Sequence, residues 1–478
     1  MLHDIEHLPI SLRKKKISMK VVSKFLYHPE VIPWPKATID SMVNSVAKAL
    51  WGNRPGWRNQ ELLFALCTNP IACHPHMSIA TRVICNIVAR CKRDEGFFCL
   101  WSELCGRNKA IARGLVDAFL KACETLAIEF VRPHTFRCLG REISFFELSI
   151  AGLRRVCHFA AVQCLYRQAI SSARKDLDRT GSGVVDHDVV TFLGPREPWR
   201  PASFDDSIVP GILTGACPTA NRLYKSNLVD SAKCRFCDFH HEDIQHLTRC
   251  EGVREMLGNP GSVFPEQPHF LTHGIFEVPQ YILDSIYAAE TMPSLPGGLC
   301  HSDHFSLVGC GLVFNKKHVF TRTLGAAVVN LQGEVVWRFA TLEPWSCAVK
   351  AELWILLSMV RKFSKKINFF TRCAALIQTW ERLKGLTVLP LNTAYLDLWS
   401  EIFHLIGQGR SCRLNVFSIN EVEDANKKIF SGLWKLAKDE ATQVAKTAMP
   451  VPPALVKSWM QHTAIQQSWL CRLSKLLQ

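Results

Sequence analysis

Through the first two hundred residues, apolar positions recur at helical spacing. Between Ala37 and Leu50 they fall at Ile39, Met42, Val43, Val46, Ala49 and Leu50, and Gly52 follows as a stop. Ile111 to Leu126 and Ile150 to Ala173 repeat the pattern, the second with Arg154, Arg155, Arg167, Arg174 and Lys175 off its apolar face. Prolines at 195, 198, 201 and 210 then interrupt regular structure, and a second irregular stretch, with GNPGSVFPEQP and MPSLPGG, covers roughly 255 to 305. Past 305 the period changes. Phe305–Phe314, Leu324–Asn330 and Gly333–Ala340 read as three strands joined by short turns. A helix from Ala348 to Lys362, a strand from Ile367 to Thr371, and helices Ala374–Leu383 and Ala394–Gly407 come next. A last strand, Leu414–Ile419, precedes a final helix from Val422 into the 440s. The order βββαβααβα predicts a mixed five-stranded sheet: an antiparallel meander whose first strand then pairs with parallel strands. The chain thus reads as an α+β multidomain protein with no internal repeat. A mostly α region covers 1–195, a small cysteine-bearing module 210–255, a linker 256–304, the sheet domain 305–447 and a C-terminal helical tail 448–478.

Composition narrows the function classes. Of the 478 residues 48% are hydrophobic and 21% charged, which excludes a disordered or collagen-like chain. Fifty-seven basic residues against 42 acidic leave a formal charge of +15, which favours a polyanionic partner. Twenty cysteines are too sparse for a disulfide scaffold, and Cys85, Cys157 and Cys164 sit singly in apolar stretches, as buried thiols of a reducing compartment do. The N-terminus has no secretory pattern, and no apolar run is long enough to span a bilayer. An intracellular protein with no membrane partner is expected, in the nucleus or another RNA-containing compartment; Arg13-Lys14-Lys15-Lys16 is too short to decide.

One cysteine group is clustered. Cys234-Arg-Phe-Cys237 is followed by eight residues, His246, three residues and Cys250. Two cysteines at this spacing grip one zinc from a tight knuckle, and His246 and Cys250 from the next helical turn complete a tetrahedron of soft ligands. Four protein ligands leave no open position, so the zinc would be structural. His240 and His241 are spare imidazoles able to replace His246. Arg222, Lys225, Lys233, Arg235 and Arg249 give the module a basic rim suited to phosphate.

Three features occur in order: a helical block with Leu50-Trp51-Gly52, the knuckle CRFC…EDIQHLTRC, and the βββαβ pattern. In that order they resemble the C-terminal part of a non-LTR (LINE-type) retrotransposon polyprotein, where a thumb region, a zinc knuckle and sometimes a ribonuclease H domain follow the polymerase palm. The resemblance spans most of residues 40 to 445 and makes 1–195 the post-palm part. Two departures stand out: three residues rather than the family's four separate His246 from Cys250, and no palm segment with paired aspartates occurs.

The resemblance also implies where catalysis would sit. Ribonuclease H cuts the RNA strand of a hybrid with two magnesium ions held by one Glu and three Asp, because two hard dications need several carboxylates. Ala351-Glu352-Leu353 matches the family's helix Glu. The first Asp falls in Val313-Phe314-Asn315-Lys316-Lys317, the second at Thr371-Arg372-Cys373, the last in Ala437-Lys438-Asp439-Glu440-Ala441, and the loop His near Asn420. Lys316, Arg372 and Lys438 would thus replace three carboxylates. At an effective dielectric of 20, unit charges about 4 Å apart interact by about 4 kcal/mol, so exchanging attraction for repulsion at three positions would abolish magnesium binding. Glu352 would instead pair with one of these cations. The expected protein is no enzyme. It binds RNA, an RNA–DNA hybrid or duplex DNA, with Lys316 and Arg372 joining the knuckle's basic rim on phosphate. The alternatives are an RNA-bound architectural subunit meeting other proteins of a ribonucleoprotein, and a hybrid ribonuclease or reverse transcriptase fragment with residual activity.

Overall fold

In the computed structural model the described residues are 8, 10–27, 29, 34–51, 59–106, 114–138, 140–172, 177, 182–185, 208–257, 268–288, 304–314, 320, 322–342, 345, 347–363, 366–386, 388–390, 393–407, 414–448, 461, 465–466, 468–473 and 476–477. The proline boundary at 195–201 therefore lies outside them.

The N-terminal block is built on α1 (Lys36–Trp51), α2 (Gln60–Cys67), α3 (Pro75–Cys91), α4 (Leu115–Thr125) and α5 (Ile150–Ser171). Asn59 caps α2 by accepting from the Leu62 N–H at 2.9 Å, and Ser149 caps α5 by accepting from Gly152 at 3.1 Å. The long α5 is the centre of the block: Val156, Cys157, Ala160, Ala161, Leu165 and Tyr166 are all buried, while Arg154, Arg155 and Arg167 are exposed. Between α4 and α5 lies a small antiparallel sheet that the helical periodicity does not predict. Its strands β1 (Glu129–Arg132), β2 (Thr135–Cys138) and β3 (Arg141–Ser144) have four residues each, too few for alternation to register.

The stretch read as a linker at 256–304 proves to be partly core. Helices Pro268–His273 and Gln280–Ala288 fall within it, and Phe270, Ile275, Phe276, Val278, Ile282 and Leu283 are buried. Gly and Pro content by itself does not exclude packing. The C-terminal tail returns to the same place, where Trp469, Leu470 and Leu473 are buried and Gln466 donates to the Gly274 carbonyl. Gly274 has φ of +63° and lies so close to Leu470 that a side chain would overlap it.

The second layer system is the expected mixed five-stranded sheet. Its strands are β4 (His304–Phe314), β5 (Thr323–Asn330), β6 (Val335–Leu342), β7 (Lys366–Thr371) and β8 (Leu414–Ser418), in the order β6-β5-β4-β7-β8. Strands β4, β5 and β6 pair antiparallel; β4 with β7 and β7 with β8 pair parallel. Helices α6 (Ala348–Lys362), α7 (Ala374–Leu383) and α8 (Leu396–Gly407) cover one face, burying Leu307, Val328, Ile367, Phe369 and Val416 against Ile355, Leu356 and Trp399. The final helix, α9 (Asp424–Thr447), lies on the other face over β4, β5 and β6. The two systems touch: Tyr395 donates its N–H to the Phe146 carbonyl at 2.6 Å, and Lys350 reaches Glu147 at 3.5 Å.

Seating α9 depends on small residues. Ala437, Ala441 and Ala445 are fully buried, and a Cβ on Gly325 of β5 would overlap the Ala441 carbonyl and stand 2.8 Å from Ala445. Gly325→Val should therefore lift α9 and cost about 3 kcal/mol or more in urea unfolding. Gly432→Ala, in the same helix with nothing within 4 Å, should stabilise slightly. Equal effects of the two would refute this packing.

Candidate functional site

The knuckle is made locally. Cys234 and Cys237 lie in a turn closed by the Asp238 N–H donating to the Cys234 carbonyl at 2.8 Å, with Asp238 itself at φ of +56°. The Cys234 N–H donates to the His240 carbonyl at 2.7 Å, beside an antiparallel bridge between Lys233 and His241. Asp243 then caps the short helix Ile244–Leu247, accepting from the His246 N–H at 2.7 Å, and so brings the imidazole round to the cysteines. The ligand atoms of Cys234, Cys237, His246 and Cys250 all lie within 4.8 Å of one another. The Cys234 and Cys250 sulfurs are 3.9 Å apart, and Cys237 Sγ is 3.3 Å from His246 Nε2. Three thiols and an imidazole at these distances can hold one metal ion and are compatible with zinc. The backbone N–H groups of Phe239 and His240 lower the Cys237 thiol, favouring its ligating thiolate. Burial pushes Cys234 up to about 11, which a bound dication would reverse. His240, one of the two spare imidazoles, has its ring 5.2 Å from that of His246.

The basic rim divides. Arg235 is committed inward: its Nε and guanidinium NH2 donate to Glu242 at 3.0 and 2.9 Å, and Glu242 is wholly buried. Burial alone would raise the Glu242 carboxyl, but hydrogen bonds from Arg235 and from the Ala220 and Arg235 N–H groups outweigh it and hold it below the usual range. This pair braces the knuckle against the helix Ala220–Lys225. Lys225, Lys233 and Arg249 are exposed and Arg222 is half-buried. Cys234, Leu247, Cys250 and Val253 belong to the same apolar core as the N-terminal helices, so the knuckle is not an appendage.

The second region is the meeting of β4, α6 and the end of β7. Glu352 is 2% exposed there; its Oε1 accepts from the Gly311 N–H at 2.8 Å, and Oε2 has no hydrogen-bond partner among the described residues. A side chain on Gly311 would stand 2.7 Å from the Glu352 nitrogen, so only glycine allows this approach. Burial pushes the Glu352 carboxyl up to about 8, outweighing the Gly311 and Thr371 hydrogen bonds. The groups around it include the thiols of Cys310 and Cys373, raised to about 12 and about 11 by burial and then by Glu352. Among the described residues, one buried carboxyl with two thiols and a hydroxyl is not a ligand set for hard dications.

The expected ion pair of Glu352 is absent among the described residues. Arg372 turns the other way, donating to Ser431 Oγ at 2.8 Å with its guanidinium 4.6 Å from the Trp434 ring centre. Lys438 also goes to Trp434, at 5.4 Å. Lys316 lies outside the described residues. Asn420 is exposed, its N–H donating to Ser418 Oγ at 3.3 Å. Trp434 is not among the residues singled out from the sequence. The available signal was the i, i+4 spacing of Phe430, Trp434 and Lys438.

Comparison with known proteins adds nothing to these geometries: no family profile, curated protein or solved structure matches the chain. Among the described residues no helix is long and apolar enough to cross a membrane.

Proposed function

We propose that this chain is a non-catalytic nucleic-acid-binding protein built from the C-terminal parts of a LINE-type retroelement polyprotein, with a structural zinc in its knuckle. The observation that carries the reading is the composition of the region around Glu352. The sheet order and the placing of α6 and α9 suit a ribonuclease H-like domain, yet among the described residues the point where that family gathers four carboxylates has one, buried and pushed up to about 8. Cations stand outside it, Arg372 and Lys438 on the Trp434 ring and Lys225 and Lys233 on the knuckle. Fixed cations without dications suit holding a phosphate backbone and not cutting it.

Fluorescence anisotropy at a series of salt concentrations tests the proposal. Affinity for labelled RNA should fall about a hundred-fold between 50 and 200 mM salt if roughly four phosphates are engaged. The same RNA annealed to DNA should stay intact with magnesium or manganese. A flat salt dependence, or cleavage that Glu352→Gln abolishes, would overturn it.

A further inference from the structure

Helix α9 covers only part of its face of the sheet. It lies over β4, β5 and β6, while on β7 and β8 the same face carries Asn368, Phe370, Asn415 and Phe417. Across the parallel register Asn368 is opposite Asn415, and Phe370 opposite Phe417. The two rings stack at 5.2 Å, and Phe370 packs at 4.4 Å on Phe430 of α9, so Phe417 is held from beneath. Phe417 nonetheless leaves 42% of its surface to solvent, although its neighbours Val416 and Ser418 are buried. The Asn415 amide donates to Asn368 Oδ1 at 3.1 Å, which uses one donor and one acceptor of the pair and leaves the others.

From this juxtaposition we infer that the open face of β7 and β8 is a stacking platform for single-stranded nucleic acid, with a base laid on Phe417, its edge met by Asn368 or Asn415, and phosphates drawn to Lys366, Arg372 and Lys438. The inference rests on the nucleic-acid reading above and gives it a site and a strand state. A rigid, exposed ring on a sheet surface takes the face of any base, which a duplex keeps stacked and out of reach. The chemistry of the surround favours this occupant over a protein. Protein interfaces are depleted of charge at their centre, whereas neither Arg372 nor Lys438 pairs with a carboxylate among the described residues. Arg372 is also immobilised by Ser431 and Trp434, so holding it in place costs little extra on binding. Glu421, Glu423 and Asp424 follow the end of β8 and bound the platform in the chain; Asp424 is 3.8 Å from Lys427.

The full chain should be titrated against a fluorescein-labelled 12-nucleotide oligouridylate, its deoxy counterpart and a 12-base-pair RNA duplex. Phe417→Ala should weaken single-strand binding about ten-fold and change duplex binding less than two-fold. Phe417→Trp should retain the affinity. A 2-aminopurine in the oligonucleotide should be quenched by the wild type and not by Phe417→Ala. Phe417 is exposed, so both variants should melt as the wild type does. Stronger binding by the RNA or the DNA strand identifies the source, and either supports the platform. Single-strand binding unaffected by Phe417→Ala would overturn the platform and leave the nucleic-acid reading standing. No binding of any oligonucleotide at low salt would end both. Self-association that Phe417→Ala abolishes would assign the face to a second copy and overturn the inference.

Discussion

Removing the metal from the knuckle should unfold it and loosen the N-terminal block with it. The four ligand atoms within 4.8 Å of one another are held by few contacts of their own: two short turns, the Asp243 cap and the Arg235–Glu242 pair. Structural zinc in modules of this size contributes an apparent 10 kcal/mol or more near neutral pH, far beyond what those contacts supply. Because Cys234 and Cys250 belong to the helical core, the loss should spread beyond the module. Purified protein should contain one zinc per chain. A tight chelator should lower the melting temperature by ten degrees or more, and Cys234→Ala with Cys237→Ala should do the same without chelator. Cys99→Ser, at an exposed cysteine, should change nothing. Zinc should be lost on acidification, as protons compete with the metal for its ligands. Protein without zinc that melts normally would refute the site.

Glu352→Gln should stabilise the protein, and increasingly so as pH rises. The sign follows from linkage. A carboxyl raised from about 4.5 in the unfolded chain to about 8 when folded keeps its proton in the native state while the unfolded state loses it. Between those values wild-type stability must fall with rising pH. The cost is absent below pH 4.5, about 3 kcal/mol at pH 7 and about 5 kcal/mol above pH 8, at about 1.4 kcal/mol for each unit. Glutamine keeps an oxygen for the Gly311 N–H and removes the titration. Urea unfolding at pH 5, 7 and 9 should therefore give a flatter profile for the variant, with the curves meeting near pH 4.5. A variant less stable than wild type at pH 9 would mean that Glu352 is ionised and balanced by a cation, whether lysine or metal.

Much of this was legible in the residues, and the failures have physical causes. The five-stranded order followed from period changes past residue 305, since each strand is long enough for its inward residues, such as Leu307 and Phe369, to announce a face. The knuckle was legible because its ligands are close in sequence and its turns are local. The small sheet at 129–144 was not, its strands being too short. Residues 268–288 were hidden by flanking glycines and prolines, whose presence does not tell whether Phe270 or Ile282 is buried.

The boundary between the two kinds of knowledge runs through Glu352. The chain by itself determined that α6 would carry a single carboxylate, Glu352, and that Cys234, Cys237, His246 and Cys250 would be neighbours. Both are matters of spacing. Only the tertiary structure decided that Glu352 is buried on Gly311, that Arg372 and Lys438 turn to Trp434, and that α9 reaches Phe370 of β7 yet leaves Phe417 of β8 open. Those outcomes depend on the dielectric around a group and on which face a distant helix covers. Neither is a property of residues adjacent in sequence.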